Sequence, residues 1–373
     1  MIYKEYGSTG KKISAVSFGG MRFDMEKSIE ENAELLHYAY EKGITLFDTA
    51  PGYCDDKSEL IFGEAFKTLR GKYYVATKAM PESFDTAEKA YEQVCKSLER
   101  LNVDKINFYY IWCIRKMSQY ELALQPGGQY EGLLKAQEEG LIDHITLSSH
   151  QTGNELKHII DDNKISGLLI GVNILNFPYR ISGAQHAVAN KMGVIAMNPL
   201  AGGQIPQNEG SFKFLARPGE TPTEAALRYL IANPAITSAL NGFTTREHID
   251  MACRVADNAT PFTEEELNDI KQRLSDQFNC ICTACGYCKD CPKDIPIPKF
   301  MQYYNDKLLF DTSDEEMAGR INFQYSYGLL ADTDKHASDC IACGKCEINC
   351  TQHLPIIKRL AEIDKWEKMQ EKQ

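Results

Sequence analysis

Two runs of cysteines near the C-terminus constrain the fold of this chain more than any other feature. The first run holds Cys282, Cys285, Cys288 and Cys291, followed by Pro292, and the second holds Cys340, Cys343, Cys346 and Cys350. A cysteine at every third residue lets one loop wrap three corners of a 4Fe–4S cubane, and a fourth cysteine beside a proline is directed towards a second cluster. The spacing therefore predicts two 4Fe–4S clusters in one small domain.

The same argument predicts that the fourth cysteine of each run binds the cluster of the other run. It predicts that Cys350 completes the cluster of Cys282, Cys285 and Cys288, and that Cys291 completes the cluster of Cys340, Cys343 and Cys346. The segment from about residue 278 to 355 resembles bacterial two-cluster ferredoxins, with two residues between Cys288 and Cys291 where that pattern usually has three. A pair of structural zinc sites is the alternative, although zinc usually needs only two Cys-x-x-Cys pairs per metal.

Composition limits the class of protein and its partners. The chain has 373 residues, enough for two or three domains, and its 43% hydrophobic and 25% charged residues are ordinary globular values. A net charge of −11 argues against binding to nucleic acid. The absence of a secretion signal, of a long apolar run and of a disulfide-like cysteine pattern predicts a cytoplasmic protein with no membrane segment.

Short apolar runs alternate with helical stretches before the cysteines. Strands are predicted near residues 15–19, 44–48, 73–77, 106–111, 144–148, 168–172, 194–198 and 237–241. Helices are predicted near residues 28–42, 58–68, 86–101, 129–139, 153–162, 182–191, 222–232, 245–256 and 264–277. Eight such units predict an α/β fold, a (β/α)8 TIM barrel over residues 1–277, followed by a mostly helical dicluster ferredoxin-like domain and C-terminal helix over 278–373.

Several strand ends resemble the aldo-keto reductases, and the resemblance spans about residues 1–255. The motifs are Ile13 to Gly20, Phe47-Asp48-Thr49-Ala50 with Tyr53, the strand Tyr74 to Lys78, and Val194 to Gly203. The best match is the branch of this family that carries a C-terminal two-cluster 4Fe–4S ferredoxin domain. The resemblance implies an NADP(H)-dependent barrel that reduces or oxidises a carbonyl or alcohol.

The resemblance also implies four catalytic positions. Tyr53 occupies the place of the proton donor, and Lys78, held by Asp48, is the cation that could stabilise its phenolate. The fourth position, a histidine in the family, is Trp112, whose indole can donate one hydrogen bond but cannot pass a proton. The alternatives are a buried ion pair packed beside a tyrosine, and a tryptophan that serves only in packing.

The implied cofactor site is only partly preserved. On its nicotinamide side are Ser148, Ser149 and Asn173, with Leu169 where the family usually has glutamine. On its phosphate side are Pro199, Leu200, Gly202, Gly203, Gly242, Thr244 and Arg246, and Met251-Ala252 replaces a usual Glu-Asn pair. Backbone amides near the glycines, with Arg246, could hold a phosphate, or Arg246 could be an ordinary surface residue.

These observations leave three functions open. The first is an oxidoreductase that acts on a small-molecule carbonyl or alcohol, with the clusters supplying electrons, docking or rigidity. The second is a barrel that has lost hydride chemistry and binds a ligand or passes electrons to a redox protein, and the third is reduction of a substrate by the clusters without nicotinamide. Cys54 and Cys113 could form a redox pair at the barrel mouth or be merely buried, Cys95 and Cys253 are predicted in helix cores, and the role of Cys280 is open.

Overall fold

A computed structural model of the chain describes residues 1–277 and 281–370, without the side chains of residues 275–277. The chain divides into two compact units: Met1–Pro199 with Glu224–Phe262, and Leu200–Thr223 with Thr263–Gln373. The predicted domain boundary between residues 277 and 278 falls beside residues that the structure does not describe and stays a prediction. Cys280 also lies outside the described residues.

The first unit is built around a closed parallel barrel. Its strands are β3 (Val16–Gly19), β4 (Leu46–Asp48), β5 (Tyr74–Ala79), β6 (Ile106–Ile114), β7 (Ile142–Ser149), β8 (Gly167–Ile170), β9 (Gly193–Ala196) and β10 (Ser238–Asn241), preceded by an antiparallel hairpin of β1 (Tyr3–Glu5) and β2 (Lys12–Ser14). Neighbours in sequence pair in turn, and β10 pairs with β3 to close the barrel. The predicted TIM barrel is confirmed.

The helices follow the predicted alternation closely. They are α1 (Ile29–Glu41), α2 (Ser58–Phe66), α3 (Ala87–Leu101), α4 (Met117–Leu124), α5 (Gln129–Glu138), α6 (Gly153–Asp161), α7 (Phe177–Ala189), α8 (Gln204–Gln207), α9 (Pro222–Ile231), α10 (Arg246–Asn258), α11 (Glu264–Gln277), α12 (Ile297–Leu309), α13 (Asp314–Tyr327), α14 (Lys345–Asn349) and α15 (Ile356–Gln370). The prediction missed α4 and the short α8, and it placed the start of α7 too late, because Pro178 lies in the first turn of that helix. Among the described residues, no helix is both long and apolar enough to span a lipid bilayer.

The interior of the barrel is filled by side chains that alternate along the strands. Phe108 and Tyr110 of β6 lie in this core with Leu46, Leu169 and Ile195. Because every second residue of a strand faces the same side, Asp48 follows Leu46 on the inner face and Trp112 follows Tyr110. The alternation thus carries polar and aromatic groups to the carboxyl edge of the barrel, where barrel enzymes place their sites.

The second unit is mostly helical, and its C-terminal helix α15 is confirmed. Its core contains Phe300, Tyr303 and Trp366, and the ring of Tyr304 stacks on Trp366 with centroids 5.6 Å apart. Partly buried cysteines from both runs pack against this core. Aromatic packing between α12 and α15 therefore forms the core against which cysteines of both runs lie.

Candidate active site and cluster-binding loops

A buried ion pair lies at the carboxyl edge of β4 and β5. The Nζ atom of Lys78 donates a hydrogen bond to Asp48 Oδ1 at 2.6 Å, and both side chains are almost fully buried. Lys78 Nζ also lies 5.3 Å from the ring centroid of Tyr53 and 5.6 Å from that of Tyr110. The structure thus brings together Asp48, Tyr53 and Lys78, and it adds Tyr110, which the sequence did not single out.

Tyr53 is presented by a loop with an unusual backbone. The three residues after it have left-handed φ angles: Cys54 at 54°, Asp55 at 53° and Asp56 at 62°. Such a run is costly for residues other than glycine and persists only where neighbouring groups fix it. Arg100 supplies part of that support, since its guanidinium pairs with Asp56 at 3.1 Å and with the buried Glu59 at 2.9 Å.

Burial governs the acidity of the tyrosine. It raises the pKa of Tyr53 well above the ordinary value, and the nearby Asp48 carboxylate raises it further. Burial likewise raises the pKa of the Asp48 carboxyl, against the opposing effect of Lys78. At neutral pH, Tyr53 therefore keeps its proton.

Trp112 lies directly against Tyr53. The two ring centroids are 5.5 Å apart and the planes cross at 84°, an edge-to-face contact. The register between β6 and β7 shifts between Ile111 and Ile114, and Cys113 within that shift has a left-handed φ of 63°. A bulge of this kind redirects the adjacent side chain, so the position of Trp112 is specified by the backbone as well as by packing.

The structure describes four cysteines outside the two runs. Cys54 is half-buried and its thiol lies 3.5 Å from the carbonyl oxygen of Gly20, while Cys113 is buried. Cys253 is buried in α10 as predicted, but the prediction for Cys95 is wrong, since its side chain is exposed on α3.

The candidate residues on the nicotinamide side are used mainly within the protein. Ser149 Oγ donates to the carbonyl of Ile114 at 2.8 Å, and Asn173 donates to the carbonyl of Asn198 at 3.0 Å and accepts from the amide of Leu175 at 2.9 Å. Ser148 is buried at the end of β7. The structure thus places these residues at the carboxyl edge of the strands, but Ser149 and Asn173 already have partners there.

Three candidate residues on the phosphate side lie around the start of α10. Thr244 Oγ1 lies 3.1 Å from His248 Nδ1, and the exposed Arg246 guanidinium lies 5.0 Å from the ring of Tyr38. Gly242 faces Arg22: a Cβ atom at this glycine would come within 2.6 Å of Arg22 Cγ. Arg22 is a cation at this edge that the sequence interpretation missed.

A second missed cation is buried beside the ends of β7 and β8. Arg180 in the first turn of α7 is 1% exposed, and a Cβ atom at Gly171 would lie 3.1 Å from His150 Nδ1 and 3.2 Å from Arg180 Nη1. A buried guanidinium is normally paired or hydrogen-bonded, so Arg180 fixes a positive charge beside these strand ends. Its sequence pattern, an arginine after Pro178 and Tyr179, does not differ from that of a surface residue.

Pro199 and Leu200 precede Gly202 and Gly203 in the long loop between β9 and α9. The φ angles of Ala201, Gly202 and Gly203 are 52°, 69° and 93°, and the amide of Gly203 donates to the carbonyl of Leu200 at 3.0 Å. Residues of this loop from Leu200 to Thr223 belong to the second unit. The long loop is therefore part of the cysteine-containing unit, although in sequence it connects β9 to α9.

Four cysteines from the two runs surround one cavity in that unit. Cys282, Cys285, Cys288 and Cys350 line a space of about 320 Å³, including its opening to solvent. Backbone amides of Ala284 and Leu354 donate to the sulfurs of Cys282 and Cys350, both at 3.4 Å. Four sulfurs spread around a cavity, with N–H donors directed at them, fit the corners of a cubane.

The remaining four cysteines are partly buried or exposed. Cys291, Cys340 and Cys346 are partly buried against the helical core, and Cys343 is exposed. Within residues 1–277 and 281–370, no three His, Cys, Asp or Glu side chains converge closely enough to hold a single metal ion.

The fold and these loops define a barrel oxidoreductase joined to an iron–sulfur module, and comparison with known families agrees. Residues 15–274 match the aldo/keto reductase family, and residues 281–355 match the 4Fe-4S dicluster domain. The chain therefore belongs to the aldo/keto reductase family, in the branch with a C-terminal dicluster domain.

Three relatives illustrate the similarity, and each covers about three quarters of this chain. The uncharacterized oxidoreductase YqkF of Bacillus subtilis is 27% identical over 304 residues, which cover 73% of this chain and 96% of that protein. The holo form of AKR11C1 from Bacillus halodurans superimposes with a TM-score of 0.62 at 22% identity, covering 74% of this chain and 96% of that one. An aldo-keto reductase of Klebsiella pneumoniae in complex with NADPH gives 0.61 at 19% identity, with the same coverage.

Proposed function

We propose that the barrel reduces a carbonyl group of a small molecule with NADPH, and that Tyr53 donates the proton. The observation that carries this proposal is the buried Lys78–Asp48 pair at 2.6 Å, with Lys78 Nζ 5.3 Å from the Tyr53 ring. The related Klebsiella pneumoniae structure contains NADPH. Retention of the same fold supports the same cofactor here.

The chemistry follows from the protonation state of Tyr53. When bound, the reduced nicotinamide supplies a hydride to the carbonyl carbon. Tyr53 gives its proton to the carbonyl oxygen, and the resulting phenolate is stabilised by the Lys78 ammonium until water restores the proton. Because the pKa of Tyr53 is raised, the group is protonated at neutral pH, which is the form that carbonyl reduction requires.

The cofactor residues remain those predicted from the sequence, with one addition. We propose that the turn at Gly202 and Gly203 lets a phosphate approach the backbone closely and that Gly202 offers its amide, since backbone amides in a turn form concave anion sites. Arg180 is a further candidate for an anionic group because it is buried at the strand ends. Cys282, Cys285, Cys288 and Cys350 would hold one cluster, and Cys291, Cys340, Cys343 and Cys346 the other; each cluster would supply single electrons.

A second candidate function is favoured by Trp112. Its edge contact with Tyr53 occupies the place where the family has a histidine beside the carbonyl. A barrel blocked in this way would bind a ligand without reducing it, and the clusters would pass electrons to a redox protein.

Anaerobic titration with NADPH distinguishes the two functions. We expect binding, and oxidation of NADPH in the presence of at least one small aldehyde from a panel of carbonyl compounds. Absence of binding, in protein whose clusters can be reduced, would exclude the first function and support the second. Iron and sulfide should each be present at about eight per chain, as two four-iron clusters require, and stoichiometric zinc without acid-labile sulfide would exclude the cluster assignment.

A further inference from the structure

We propose that the loop of the first cluster supports the phosphate-binding loop, so that loading of this cluster controls nucleotide affinity. "First cluster" means the one assigned to Cys282, Cys285, Cys288 and Cys350, and "phosphate loop" means residues 200–207. The statement about affinity rests on the proposed function, whereas the mechanical coupling of the two loops does not.

The segment that contains the phosphate loop is attached to the helices of the iron–sulfur unit. Ser211 Oγ donates to the carbonyl of Leu309 in α12 at 2.8 Å. Arg217 binds Glu266 in α11 through two hydrogen bonds, at 2.6 and 2.8 Å. These contacts hold the residues that follow the phosphate loop against α12 and α11. The contact with the loop of the first cluster is made by the phosphate loop itself.

Gly202 makes the decisive contact. A Cβ atom built on Gly202 would lie 2.6 Å from the carbonyl oxygen of Thr283, so only glycine permits this approach between two backbones. Thr283 stands between Cys282 and Cys285 and lines the same cavity as the four cysteines. Two backbone segments that touch without an intervening side chain transmit displacement directly.

The position of Thr283 depends in turn on the cluster loop. Asn305 brackets Cys282, accepting from its amide at 2.9 Å and donating to its carbonyl at 2.8 Å. Beyond this anchor, bound metal is the principal constraint on such a ligand loop, because the free energy of metal binding is used to order it. Loss of the first cluster should therefore free Thr283 and remove the neighbour that restrains Gly202.

The backbone conformation of the phosphate loop depends on its surroundings. Ala201 has a left-handed φ angle, which a residue other than glycine keeps only when the surrounding structure specifies it, and Gly202 and Gly203 have a wide choice of backbone conformations. Coupling between two binding events is reciprocal, so a disturbance at Gly202 should also weaken retention of the first cluster. This reciprocity gives the proposal a test that does not involve nucleotide.

The first experiment compares Cys285→Ala with Cys343→Ala by hydrogen exchange of residues 200–207 and by NADPH affinity. Each removes one cysteine, from the first and the second cluster respectively. We expect Cys285→Ala to speed exchange in the phosphate loop and to raise the Kd for NADPH about tenfold, a usual size for coupling between sites. Cys343→Ala, which removes a ligand of the other cluster, should change both much less, and Cys95→Ala, at an exposed cysteine of α3, should leave both near wild type. Equal effects of Cys285→Ala and Cys343→Ala, or none, would overturn the proposal.

The second experiment covers the case in which a cysteine variant does not fold. Gly202→Ala introduces the clash with Thr283, whereas Gly219→Ala imposes similar strain at a φ of 83° in the same segment with no atom nearby. We expect Gly202→Ala to speed release of about four of the eight irons to a chelator by about fivefold, while Gly219→Ala stays close to wild type. Unchanged iron release in Gly202→Ala disproves the coupling. Faster release without any NADPH binding by wild type keeps the coupling and rejects the phosphate assignment.

Discussion

Tyr53 is half-buried beside a carboxylate, and both conditions oppose formation of a phenolate. The sequence suggested that Lys78 would stabilise the phenolate form of Tyr53. Lys78 is present, but its hydrogen bond goes to Asp48, and its ammonium lies over the rings of Tyr53 and Tyr110. Its contribution is therefore expected mainly after proton transfer, when a negative oxygen exists to be stabilised.

Replacement of Tyr53 by phenylalanine tests this role. The ring and its contact with Trp112 are retained, and only the hydroxyl is lost. We expect Tyr53→Phe to lower turnover about 10²-fold to 10⁴-fold, the usual contribution of a positioned acid, with little change in the Kd for NADPH. Stopped-flow measurement of NADPH oxidation and a fluorescence titration provide the two values. Tyr327→Phe, at a highly exposed tyrosine, is the control, and equal activity of Tyr53→Phe and this control would leave Tyr53 with a packing role only.

Trp112 is the second residue whose role can be separated by substitution. Trp112→His introduces a ring nitrogen that can both donate and accept a proton, and it opens space beside Tyr53. We expect wild type to reduce small aldehydes weakly and Trp112→His to reduce them faster by about tenfold or more. Trp112→Phe opens less space and adds no proton donor, so it should gain little. A wild-type enzyme that already reduces these aldehydes well would show that Trp112 is no obstacle.

Site residues that end or follow a strand could be identified from the sequence, whereas two arginines near the site could not. Asp48, Tyr53, Lys78 and Trp112 were found because each ends or follows a strand with a recognisable motif. Arg180 and Arg22 were missed because burial and close approach to a glycine depend on tertiary contacts that no local pattern records. Partners of Ser149 and Asn173 could not be predicted for the same reason.

At the scale of elements, the periodicity of apolar residues was sufficient to place all eight barrel strands. It could not indicate the bulge at Cys113, since one extra residue in β6 appears only when the strand is paired with β7. It also missed α4, whose eight residues, Met117–Leu124, are too few to establish a helical period.

The ion pair of Arg217 and Glu266 links the loop that follows β9 to α11. Its hydrogen bonds from Arg217 lower the pKa of Glu266 to about 2, from an ordinary 4.5. Since the folded-state pKa is depressed, the stabilisation is complete above about pH 4.5 and is lost as the pH falls towards 2.

Substitution of Glu266 should therefore loosen this segment at neutral pH. We expect Glu266→Gln to increase protease cleavage within residues 200–223 several-fold at pH 7, while wild type shows no increase between pH 7 and pH 5. Glu265→Gln, an exposed position in the same helical turn, is the control for the lost charge. If Glu265→Gln and Glu266→Gln are cleaved equally, the ion pair does not restrain the segment.

At the scale of the whole molecule, the sequence predicted a barrel and a helical iron–sulfur domain, but it did not predict which of the two compact units each segment belongs to. The sequence placed Pro199, Leu200, Gly202 and Gly203 on the phosphate side of the cofactor site and gave no sign that their loop has partners outside the barrel. Residues from Leu200 to Thr223 group with the iron–sulfur unit, and within this segment Ser211 and Arg217 have partners in α12 and α11. Such long-range contacts cannot be inferred from spacing along the chain.

The crossed assignment of cysteines can be tested by combining substitutions. Cys350 lines the same cavity as Cys282, Cys285 and Cys288, which supports its assignment to the first cluster. The double variant Cys285→Ala/Cys350→Ala should keep about four irons, and Cys343→Ala/Cys350→Ala should keep almost none. Iron analysis after anaerobic purification distinguishes the cases. The opposite pattern would mean that Cys350 belongs with its own run.

The unequal exposure of the two cysteine sets has a practical consequence for handling the protein in air. Cys282 is buried, whereas Cys343 is open to solvent. Oxygen attacks sulfur that it can reach, and oxidation of a thiolate follows its accessibility. We expect air to bleach the protein in two kinetic phases of similar amplitude at 400 nm, with the second cluster lost first. A single phase would mean that oxygen reaches both clusters equally, and aerobic purification would then leave no homogeneous half-loaded form.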